Sequence, residues 1–225
     1  MVASESRWIG YVMVGGSAAA ILLAPVMVAI KYMTGWAVIP EPFWVAGAAA
    51  TLQGAFPDTT PAELWVGFGT GYSVALFFML VGLGALRPHL QGQTLAQGIG
   101  YWLLAGGLLA VLPGDAIHSW TWHQNGLTIP TPGSNPVANT AYAVHMMGMN
   151  GVMAGSLLLG ATALRRRTLA RWAAWMCALV FPAALLASLT LLPTSPSGAL
   201  WLFSVLIGLC GYQLARGHPS RVVAA

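Results

Sequence analysis

Charge is what this chain has least of. Only 6% of its 225 residues are Asp, Glu, Lys or Arg, against about 25% in ordinary soluble domains. So few charges cannot cover a water-facing surface, which excludes a soluble fold. Cysteine is nearly as scarce. The two present, Cys177 and Cys210, rule out a disulfide framework. The order of residues is equally sparse in signatures: there is no P-loop, no dinucleotide fingerprint, no HxxxH or HExxH spacing, no internal repeat and no low-complexity tract. The formal charge of +4 does not mark a nucleic-acid partner, because nearly all the basic residues stand at the ends of apolar blocks. There they read as topology signals.

What the chain has is apolar sequence, 57% of all positions, laid out in long blocks without alternation. Six blocks reach the roughly 20 residues that a membrane-crossing helix needs. They run over 8–33, 64–86, 94–113, 138–164, 172–192 and 199–215. Lipid offers no partner to an unpaired backbone group and no barrel-like pattern appears, so helix is the state expected. The fold class is therefore an all-α integral membrane bundle of about six transmembrane helices, in one domain over 1–225. The first block, from Trp8 to Met33, is longer than a signal-peptide core and reads as a retained span. The segment 36–56 is apolar but interrupted by Pro40, Glu41, Pro42, Gln53 and Pro57. It reads as an interfacial or re-entrant piece.

Six crossings place Arg7, Arg87, Arg165, Arg166, Arg167, Arg171, Arg216 and Arg221 on one side and Glu41, Asp58, Glu63 and Asp115 on the other. Basic residues are retained in the cytoplasm, so both termini are expected there, in a cell membrane. Trp36, Trp44, Trp65, Trp120, Trp122 and Trp201 then mark the outer boundary, and Trp8, Trp172 and Trp175 the inner one. Trp102 falls near mid-span. Glycines at 67, 69, 71, 106, 107, 148, 151 and 155 suit close helix packing.

Chemistry points to the outer side. The stretch from Pro113 to Val137 reads as a long outer loop and gathers Asp115, His118, Ser119, His123, Gln124 and Asn125 beside Trp120 and Trp122. The next span opens with Tyr142 and His145, followed by Asn150. Polar residues at membrane depth are costly, so His145 and Asn150 are functional candidates. If the third span's helix continues past Gly114, Asp115, His118 and Ser119 share a face, being three and four residues apart.

Three readings fit. A carboxyl group beside imidazoles in a partly dry site suits acid–base chemistry on a small apolar substrate such as a lipid or isoprenoid. Asp115, His118, His123 and His145 would act, with Trp120, Trp122, Tyr142, Asn150 and Glu41 lining the substrate. Alternatively His118, His123 and His145 with Met149 hold copper or another divalent metal. In the third reading the chain is a non-catalytic accessory or binding subunit. The partners expected are the bilayer, a small apolar ligand, and a second copy of the chain or a membrane partner subunit. Lys31 reads as a snorkelling side chain, and Cys177 and Cys210 as buried thiols near the cytoplasmic face.

LLAPV (Leu22 to Val26), GLGALRP (Gly82 to Pro88), GGLLAVLPGD (Gly106 to Asp115) and the histidine of AYAVHMMGMNG, His145, together resemble the multi-pass bacterial and archaeal membrane family called domain of unknown function 998. The resemblance spans most of the chain. It implies the same helical architecture and a pairing of Asp115 with His145.

Overall fold

A computed structural model describes residues 3–34, 44–90, 94–124, 135–167, 169–190 and 195–216. Regular structure among them is entirely helical: α1 (Ala3–Met33), α2 (Val45–Ala55), α3 (Pro61–Leu90), α4 (Leu95–Gln124), α5 (Pro136–Arg166), α6 (Arg171–Thr190) and α7 (Ser195–Ala215). Among the described residues, four helical stretches are long and apolar enough to cross a membrane: Arg7–Met33, Pro61–Arg87, Leu95–Gly114 and Pro136–Arg166. Leu200–Ala215 is a shorter apolar helix.

Local chemistry sets where helices begin and end. At α3, the Thr60 backbone N–H and hydroxyl both donate to Glu63 Oε2 at 2.8 Å, and the Glu63 N–H donates to Thr60 Oγ1 at 3.3 Å. This reciprocal box satisfies amides that the first turn would otherwise leave bare. Pro61 follows as the first helical residue, where its missing N–H costs nothing. Asn135 Oδ1 accepts from the N–H groups of Val137 and Ala138 at the start of α5, and Thr94 Oγ1 accepts from the Gln97 N–H before α4. Beyond α5, Arg167 adopts a left-handed conformation and its N–H donates to the Ala163 carbonyl.

Six helices close a ring. α1 packs on α3, α3 on α4, α4 on α5, α5 on α6, α6 on α7, and α7 returns to α1. The neighbours are antiparallel: Gly82 of α3 meets Met13 of α1 while Gly71 meets Leu23, and Gly211 of α7 meets Gly10 and Met13 while Gly208 meets Ser17. Inside lie Met13, Leu76, Met79, Leu83, Leu104, Leu108, Met149, Leu159, Leu200 and Phe203, all essentially inaccessible. This alternation gathers Arg7, Arg87, Arg165, Arg166, Arg167, Arg171 and Arg216 at one end, hereafter the basic end. Lys31, Asp58 and Glu63 stand at the other.

One expectation changes. The loop expected over 113–137 is shorter, because α4 runs through Pro113 and Gly114 to Gln124 and α5 starts at Pro136. Pro113 removes one N–H from the ladder, a loss tolerated where a neighbouring helix covers the backbone, and α5 does so at Gly114. Within the segment 36–56, residues 45–55 form α2, which packs against α1 through buried Val45 and Ala49. Its 11 residues extend roughly 16 Å, too short to cross a bilayer core of about 30 Å.

A candidate site where α4 meets α5

The α4–α5 seam is built on glycine. Gly100, Gly107 and Gly114 recur every seven residues along α4, and each lies against the α5 backbone. A Cβ on Gly107 would stand 2.6 Å from the Gly148 carbonyl oxygen and 2.7 Å from the Val152 nitrogen. No side chain could yield there, so the two backbones themselves are in contact. The last glycine, Gly114, brings α4 onto His145, where a Cβ would lie 2.8 Å from the His145 nitrogen and 2.9 Å from its Cα. His145 is half-buried and its Nδ1 is shielded from solvent. It sits nine residues beyond Pro136, about 14 Å along α5.

Beside this contact an apolar groove of about 300 Å³ opens between the helices, lined by Pro113, Gly114 and Ile117 of α4 and Pro136, Val137, Thr140, Ala141 and Val144 of α5. Its one hydroxyl is already committed, since Thr140 Oγ1 donates to the Pro136 carbonyl at 2.8 Å. Such a surface suits an apolar guest and offers it little polar recognition.

Asp115 lies on α4 one residue beyond Gly114, on the helix that packs against His145. The side chains of Asp115, His118, Trp122 and His123 lie outside the described residues, as does Glu41. Trp120 and Tyr142 are exposed. Met149 is buried in the core, 1% exposed, whereas the neighbouring Asn150 is on the exposed face of α5. Among the described residues no three His, Cys, Asp or Glu side chains gather as metal ligands would.

A scan against protein-family models and searches of curated proteins and of solved structures find no match.

Two further contacts escaped the sequence. The Lys31 Nζ stands 5.2 Å from the centroid of the buried Trp65 ring, joining α1 to α3 at the end where α2 packs. At the basic end, the Arg87 guanidinium lies 5.1 Å from the centroid of the Trp102 ring. Trp102 of α4 therefore packs under a cation carried by α3. The sequence signal for both was a single cation near a helix end, without a spacing to say which ring it would meet.

Proposed function

We propose that this chain is a six-span membrane protein with both termini in the cytoplasm, which takes a small apolar molecule, of lipid or isoprenoid type, into the groove between α4 and α5. Asp115 and His145 are its acid–base pair. The observation that carries this reading is the Gly114–His145 contact, which sets a half-buried imidazole against the helix bearing Asp115 and beside an apolar groove. A carboxyl group and an imidazole in such a partly desolvated setting can exchange a proton with a bound substrate. An apolar substrate would reach the groove from the bilayer without crossing water. The six-span count is supported by the antiparallel ring and by a second helix too short to cross. The resemblance to domain of unknown function 998 belongs to the same proposal, through its Asp115–His145 pairing.

The test is photolabelling of the reconstituted protein with a diazirine-bearing isoprenoid. Labelling is expected to concentrate on 113–117 and 136–144, and Val144→Trp, which fills the groove, should lower it about tenfold. Uniform labelling of the bundle, unaffected by Val144→Trp, would overturn the binding reading. For the chemistry, Asp115→Asn and His145→Gln should keep the labelling while abolishing conversion of the bound molecule; unchanged conversion in both would leave a binding protein only.

A further inference from the structure

At the basic end, α5 turns into α6 around a second opening, of about 610 Å³, a size typical of ligand sites. Leu164, Leu169, Ala174 and Trp175 give it apolar walls, and Arg167 and Arg171 give it charge. Arg167 is the one non-glycine described residue with positive φ, at φ 56 and ψ 37. Glycine is the usual occupant of this helix-ending position, because a Cβ is strained there. The chain instead holds a guanidinium at the mouth of the opening. Arg165 and Arg166 on the preceding turn add to the field, and α6 starts at Arg171, so its N-terminal dipole has the same sign.

The carbonyl end of α5 carries a partial negative charge there, which the guanidiniums of Arg165, Arg166 and Arg167 outweigh, and no described carboxylate is near. The described carboxylates Asp58 and Glu63 lie at the other end of the bundle. Glu5 is on α1, which packs on α3 and α7 across the ring. Two guanidiniums match phosphate oxygens with forked donors. Apolar walls with a half-exposed tryptophan at the same depth suit the glycerol and upper acyl region of a lipid. A free phosphate would use the arginines and leave the accessible surfaces of Leu164 and Trp175 uncovered.

We propose that this opening binds the head group of an anionic phospholipid, its phosphate held by Arg167 and Arg171 and the top of one chain lying on Leu164 and Trp175. Basic pockets between helix ends on the cytoplasmic side are suited to such head groups. The inference rests on membrane embedding and is independent of the α4–α5 groove.

Native mass spectrometry and thermal unfolding of the full chain in neutral detergent test it, with phosphatidylglycerol, phosphatidylcholine and inorganic phosphate added separately. Phosphatidylglycerol should be retained and raise the unfolding midpoint, with phosphatidylcholine well behind. Arg167→Gly removes the charge while supplying the residue that tolerates positive φ, so the lipid-free midpoint should hold or rise. Retention of phosphatidylglycerol should nonetheless fall roughly fivefold, the value of one basic residue near an anionic surface. Arg171→Gln should cause a similar loss. Equal retention of the two lipids, or full retention by both variants, would overturn the proposal. A midpoint shift reproduced by inorganic phosphate alone would replace the lipid with a soluble anion.

Discussion

Of the adjacent glycines Gly106 and Gly107, only the second touches another helix. A Cβ at 106 meets nothing within 4 Å, whereas one at 107 meets the Gly148 carbonyl and the Val152 amide. Gly106→Ala should therefore gain helix propensity, up to about 1 kcal/mol. Gly107→Ala should lose about 1–3 kcal/mol, because backbone cannot move aside as a flexible side chain can. Unfolding of the two purified variants in detergent checks the pair, and equal effects would count against direct backbone contact. In the sequence the two residues look alike. That glycines served close packing was legible; which of them faced a partner was not, because the rotation of a uniformly apolar helix leaves no polar face to read. The same limit governed the site. His145 stood out as a polar residue at depth, but its closeness to α4 depends on Gly114, which beside Pro113 looked like a helix breaker.

At the scale of the element, Thr60 and Glu63 hold the start of α3. Thr60→Ala should cost about 1 kcal/mol, and hydrogen exchange should speed up at residues 62–64 while the middle of α3 stays protected. The T-x-x-E spacing that marks this box was present in the sequence, where Glu63 read only as an outer-side acid. The helical blocks themselves were plainer, because a bilayer demands long apolar runs and Trp8 to Met33 or Ala138 to Leu164 could be nothing else. The outer part of α4 was hidden for the opposite reason. Residues 115–124 are polar and aromatic and follow Pro-Gly, so neither hydropathy nor breaker rules foretold a helix. Packing against α5 carries the helix across the proline.

Across the whole molecule, helix direction and charge agree. Antiparallel neighbours bring Arg7, Arg87, Arg165, Arg166, Arg167, Arg171 and Arg216 to one end, and α2 adds no crossing. Tags at the two termini should both resist protease added outside intact cells and both be digested once the membrane is opened. Digestion of only one tag from outside would require an odd number of crossings. The order of the basic residues along the apolar blocks made this charge separation legible. The closure of the ring was not, since nothing in the hydropathy of the first and last blocks says that they touch.

That closure has a consequence for manufacture. Ribosomes deliver α1 first, yet the surface it presents at Gly10 and Ser17 belongs to α7, which emerges after every other helix described. Until then α1 has α3 on one flank and lacks the helix that covers Gly10 and Ser17 on the other. The seam between α1 and α7 is therefore made only once α7 has been synthesised, so a chain truncated before Ser195 should leave the face of α1 at Gly10 and Ser17 without its partner.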